Sequence, residues 1–235
     1  MMDGNRLRRA VVLLMAVMVW IGQQQIKAQR SYEPHFSIGV KGGATLSNVA
    51  FSPDIEQSML QGLVMGVSAR YTEERFFGLI AEINIEQRGW KEVFDETSFD
   101  YSRKLTYIQL PLLTHIYFGS DKFKGFVNLG PSVSYMISET TDANFDYSNP
   151  SEVEGFPIEN RHVNQMSMPV KNKFDYGILA GAGMELIIKK KHSVLLEGRY
   201  YYGLGNIFAS SKKDEFAASR GTSIQISIGY MFHIK

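Results

Sequence analysis

Lys41, Arg70, Glu82, Glu86, Arg88, His115, Glu185, Glu197 and Arg199 are the side chains of this sequence whose types could do chemistry together. Paired carboxylates can divide general-acid and general-base roles, and a histidine can carry the proton between them. Cations matched by carboxylates have a second use, because ions withdrawn from water need partners of opposite sign. A structural network is the expectation, since nothing else in the chain completes an active site. The five histidines (His35, His115, His162, His192, His233) are scattered without metal-ligand spacing, and no Gly-x-Ser-x-Gly elbow, phosphate loop or zinc motif occurs. Cysteine is absent, which removes disulfides, thiolate metal sites and Cys nucleophiles together. The chain is therefore expected to have no catalytic residues, no metal, no cofactor and no enzymatic activity. A net charge of +1 gives no ground for a nucleic-acid partner.

The elements that must position these residues are strands. From Thr222 to Ile234, apolar Ile224, Ile226, Ile228, Tyr230, Phe232 and Ile234 alternate with Ser223, Gln225, Ser227, Gly229, Met231 and His233. Period-2 alternation puts one set on each face of a strand. Soluble strands average about 5–6 residues, whereas a tilted strand crossing a bilayer needs about 9–11. Similar stretches are read at 36–46, 62–71, 76–88, 104–118, 125–138, 174–188 and 193–204, so that eight strands are predicted. All the candidate charges fall on the face opposite the aliphatics. Gly66, Gly130, Gly177, Gly181, Gly183 and Gly229 share that face, as the crowded inside of a narrow barrel would require.

Connection lengths sort the same way. Those at 72–75, 119–123 and 189–192 are short and charged, and those at 47–61, 89–103, 139–173 and 205–221 are long. Alternating short turns and long loops are the arrangement of outer-membrane barrels. Ahead of the strands, Arg6, Arg8 and Arg9 precede an apolar run from Ala10 to Ile21, the order of a secretory signal peptide. The expected organisation is a signal peptide over 1–28 and a barrel over 29–235. The fold class expected is all-β: an eight-stranded antiparallel up-and-down transmembrane β-barrel. It would sit as a monomer in the outer membrane of a Gram-negative bacterium, in contact with lipid, with both termini in the periplasm.

Two alternatives remain open at this level. One is an outer-membrane lipid-modifying enzyme. The other is a soluble lipocalin-like binder of a small apolar ligand, with the two faces exchanged. The loop over 139–173 holds Phe145, Tyr147, Phe156, Met166 and Met168. Loops of this length are usually functional or disordered, and these side chains are read as a candidate partner-contact surface or as a shield over the rim.

The stretch from Leu105 to Leu113 (LTYIQLPLL) resembles a Y-x-x-x-P-L-L pattern of the PorT-like family of outer-membrane β-barrel proteins. The FDYG run at 174–177, the GAG at 181–183, the RYYYGL at 199–204 and the opening GVKGGATLS at 39–47 are similar to other signatures of that family. The resemblance covers nearly the whole mature chain and implies an eight-stranded outer-membrane barrel. Founding members are similar to accessory components of type IX protein secretion, so secretion-system or surface proteins are the partners it implies.

Overall fold

The computed structural model describes residues 34–234, apart from 74–75, 95–96, 159–160 and 211–214. The expected signal peptide lies outside the described residues. Eight long strands form the wall: β1 (His35–Ser52), β3 (Leu60–Thr72), β4 (Phe77–Glu92), β5 (Tyr101–Gly119), β6 (Phe123–Ala143), β7 (Phe174–Ile188), β8 (His192–Gly203) and β9 (Ala218–His233). A two-residue strand, β2 (Gln57–Ser58), pairs with the end of β4. Each wall strand runs antiparallel to its chain neighbours, and β9 returns to pair with β1 from Ser37 opposite His233 to Ser52 opposite Ala218. Closing the ring leaves no free strand edge inside the bilayer, where an unpaired backbone group would find no water.

The wall strands run from 12 to 21 residues, longer than a membrane crossing requires. The excess lies at the long-loop end. β1 continues past Leu46 to Ser52, β4 past Arg88 to Glu92, and β6 past Ser138 to Ala143. The alternation by which strands are recognised fails there for a physical reason. Beyond the lipid belt the outward face no longer needs aliphatics, and the inward face turns apolar at Val49, Phe51 and Trp90. The backbone remains extended while the greasy parity changes sides.

Within the belt the faces are unambiguous. Ile226 and Ile228 are 56% and 62% exposed on the outside, while Asn84, Glu86 and Gln109 are fully buried inside. This orientation overturns the lipocalin-like alternative, which needs Ile224, Ile226 and Ile228 within and Arg70, Glu82 and Arg199 without. One apolar cluster does interrupt the polar lumen, formed by Ile80, Leu113, Leu179 and Tyr201. The inward glycines make room: a side chain at Gly181 would meet Arg199 Cγ at 2.6 Å, and one at Gly183 would meet the Phe126 ring at 2.5 Å. At the short-turn end, Lys189 and Lys190 both hold positive φ (51° and 61°) in the β7–β8 connection.

Candidate functional site: an ion ladder in the lumen and its cap

Every candidate charge projects inward from a belt strand, and together they form a ladder along the barrel. At the short-turn end, Arg70 of β3 donates to both oxygens of Glu185 on β7, at 2.9 and 2.7 Å. The Ser193 hydroxyl donates to the same carboxylate at 2.5 Å. Arg70 also lies 3.4 Å from His115, whose other ring nitrogen is 2.7 Å from the Asn128 oxygen. Asn128 in turn donates to Glu197 at 2.6 Å.

Higher in the lumen, Arg199 lies 2.7 Å from Glu197 and donates both terminal nitrogens to Glu82, each at 2.7 Å. Lys41 and Asn84 add donations to Glu82 at 2.7 and 2.9 Å. Glu86 accepts from Gln109, Ser223 and Gln225 at 2.7–2.8 Å. Arg88 closes the ladder between the rings of Tyr107 and Tyr201, 4.2 Å from each centroid. Its guanidinium is 3.6 Å from Glu86 and 3.2 Å from Asp175, held by charge and aromatic faces rather than by hydrogen bonds.

Asp175 is the member that sequence reasoning left out of the network, although its parity placed it on the polar face. It accepts from the Tyr201 hydroxyl at 2.8 Å and adds a fifth carboxylate to the ladder. Bidentate arginine–carboxylate pairs are among the strongest charge-assisted contacts, and neutral Asn, Gln and Ser side chains satisfy the remaining lone pairs. His115 meets Arg70 and Asn128, so its ring is committed to the ladder rather than to a hydroxyl nucleophile. Among the described residues no group of His, Asp and Glu is arranged to hold a metal ion.

A filled, polar lumen inside an aliphatic belt calls for comparison with known barrels. Residues 23–209 match the outer membrane protein beta-barrel domain. The chain belongs to that family. Its barrel is thus an outer-membrane barrel of the Gram-negative type, and β9, beyond the matched residues, is supplied by the structure. Solved structures with similar folds include OprG of Pseudomonas aeruginosa (13% identity, 83% of this chain, 95% of that chain, TM-score 0.47). Neisserial surface protein A is another (10%, 84% and 98%, TM-score 0.44). So is Ail of Yersinia pestis, solved with the heparin analogue sucrose octasulfate (11%, 86% and 100%, TM-score 0.42). No curated protein matches the chain in sequence.

In this outer-membrane barrel the long loop folds back over the mouth. The candidate partner-contact residues are corrected accordingly. Phe156 and Met166 are buried, and Phe145, Tyr147 and Met168 pack against the same apolar cluster, so the side chains face inward as the underside of a cap. Phe94, Phe99, Phe145 and Phe156 contact one another with centroids 5.0–6.2 Å apart. Trp90 and Phe51 meet edge to face at 5.4 Å, and Phe208 and Phe216 complete the core from the β8–β9 connection. Above the headgroups the surrounding solvent is water, so loop aromatics are driven inward as in any soluble core.

Polar clamps pin the cap to the strands. The Tyr101 hydroxyl donates at 2.8 Å to the carbonyl of Met166, within the short helix α1 (Asn164–Ser167). Arg103 pairs with Glu139 and donates to the carbonyls of Gln165 and Met168 at 3.0 and 2.7 Å. Glu92, at the water-side end of β4 well past the last belt residue Ile85, accepts from Gln165 at 2.9 Å and lies 3.5 Å from Arg161. Burial pushes the Glu92 carboxyl up to about 7, against the opposing pull of Gln165 and Arg161.

Proposed function

We propose that this protein is a closed outer-membrane scaffold of the PorT-like branch, working through contacts at its rims as an accessory to protein secretion of the type IX kind. On this reading it is neither a pore nor an enzyme. The observation that carries the proposal is the ladder itself. The void beside Lys41, Arg70, Glu82, His115, Glu197 and Arg199 is about 30 Å³, room for roughly two water molecules. A solute would have to displace ions that are paired with one another across the lumen. The short-turn rim, where β1 begins and β9 ends, is assigned to the periplasm because outer-membrane barrels carry their short turns there. The capped rim then faces outward, and the closed ring favours a monomer.

Crosslinking and pulldown from intact membranes tests the role: secretion components should be recovered, and their consistent absence removes the accessory reading. In planar bilayers the purified barrel should be electrically quiet, whereas stable open-channel steps would overturn the closed lumen. The lipid-modifying alternative predicts altered lipids in a strain lacking the protein. Unchanged lipid profiles are the outcome expected here.

A further inference from the structure

Above the lipid belt the wall of the barrel parts between two strands. β6 pairs with β7 only as far as Tyr135 opposite Phe174, yet its pairing with β5 runs on to Ala143 opposite Tyr101. The parting comes at an irregularity in register that leaves Ile137 as an extra residue on β6. Bulges of this kind bend a strand and end its pairing. A single backbone bond, from the Met136 N–H to the Lys173 carbonyl at 2.8 Å, closes the foot of the gap. Beyond it, no strand among the described residues lies along that edge of β6. The chain from Met166 to Lys173 forms the opposite wall, and between them lies a cleft of about 430 Å³. Small-molecule sites run to roughly 300–1,000 Å³, so the gap has the size of a binding site.

The lining has an apolar and a charged part. Ile137, Tyr147 and Pro169 supply the accessible apolar surface, with the edges of the largely buried Met136 and Val170 beneath them. Ile137 is half exposed on the outside, and below it Tyr135, Phe174 and Tyr176 stand exposed as aromatic anchors at the bilayer boundary. The cleft is therefore continuous with the surface that meets lipid. Of its charges, Arg103 is neutralised by Glu139 and occupied by two carbonyls. Lys173 is the lining cation with no ion pair among the described residues. It stands at the depth of the headgroups, beside an apolar slot that opens toward hydrocarbon.

We propose that this cleft seats an anionic, phosphate-bearing amphiphile of the surrounding bilayer, with its phosphate at Lys173 and its chain against Met136, Ile137 and Val170. A lysine near a membrane surface attracts such headgroups, and the apolar slot adds burial that a free phosphate could not use. An extended peptide adding to the β6 edge is the competing occupant of such a gap. Continuity with the lipid belt and the uncompensated cation favour the amphiphile. The lining holds no histidine, and the site is assigned binding alone. This inference stands whether or not the secretion role does.

The test uses the full barrel in phosphatidylcholine nanodiscs doped with a phosphatidic acid that carries a photoreactive acyl chain. Labelling should concentrate in peptides spanning 136–139 and 166–173. Lys173→Glu should lower it roughly fivefold, whereas Lys190→Glu at the opposite rim should leave it unchanged. Val170→Trp, which fills the slot, should also lower it, with heat-dependent gel mobility confirming that each variant is folded. Labelling spread evenly around the belt would overturn the proposal, as would labelling indifferent to Lys173→Glu. A photocrosslinker at position 170 that captures a protein rather than a lipid in intact outer membranes would overturn it too.

Discussion

Glu86 and Trp90 stand on the same inward row of β4, and the chemistry that buries them is opposite. Around Glu86 the interior is built from ions and amides: Glu82, Asn84, Arg88, Gln109 and Gln225. Around Trp90 it is built from Phe51 and Phe208, with Arg103 above the ring. β1 repeats the change, passing from Lys41 and Thr45 to Val49 and Phe51. The difference follows from what lies outside. Where the outer wall meets hydrocarbon, aliphatics gain nothing by turning inward, and the interior is left to polar groups that satisfy one another. Where the wall rises into water, the hydrophobic effect again drives aromatics inward. One set of strands therefore has two interiors, each the inverse of its surroundings.

Removing a single ion should produce the largest effect. Arg199→Met leaves Glu82 with Lys41 as its one cation and strips Glu197 of its own. Breaking a buried pair costs about 3–5 kcal/mol, and urea titration in detergent micelles would measure it. A loss below about 1 kcal/mol, the size of an exposed pair, would mean that the ladder is hydrated rather than sealed. Trp90→Ala should come next, at about 3 kcal/mol from the cavity it leaves. That loss should fall on the cap: proteolysis within 144–173 should accelerate while the heat-shifted mobility of the barrel persists. If the barrel unfolds together with the cap, the two interiors are one cooperative unit.

A smaller effect separates the regions by pH. In the closed cap Glu92 holds a proton that the opened chain releases. Between the ordinary carboxylate range and about pH 7, rising pH therefore favours opening, and above that both states are ionised and the slope vanishes. The change should be about 2 kcal/mol over the window, visible as faster protease access to the loops at pH 7 than at pH 5. Glu92→Gln should abolish the slope, and a slope that survives would move its origin elsewhere. The smallest effect belongs to the far rim. Lys189→Asn relieves part of the left-handed strain that a lysine bears. Asparagine is favoured in such hairpin turns, so a gain of roughly 0.5 kcal/mol is expected in the same urea titration.

The alternation of Ile224, Ile226 and Ile228 with Ser223, Gln225 and Ser227 was legible because side-chain parity is a local property of an extended backbone. So was the company of charges and glycines on the opposite face, since lipid tolerates neither exposed ions nor an unsatisfied wall. The ends of β1 and β4 are hidden in the sequence because the apolar parity reverses where the solvent does, and the end of β6 because the extra residue Ile137 breaks the register ahead of a polar run. The loop aromatics Phe145 and Phe156 were ambiguous for a related reason: an apolar residue in a loop can cover a partner or its own chain, and the pattern is the same.

Partner identity was out of reach. Arg70 meets Glu185 across 115 positions of sequence, and Asp175 meets Arg88 between two tyrosines, through a ring that exists only once β9 has closed on β1. Periodicity settles which face each residue takes, because it repeats within a few bonds. Register and closure settle which residues meet, because they depend on every strand of the circle at once.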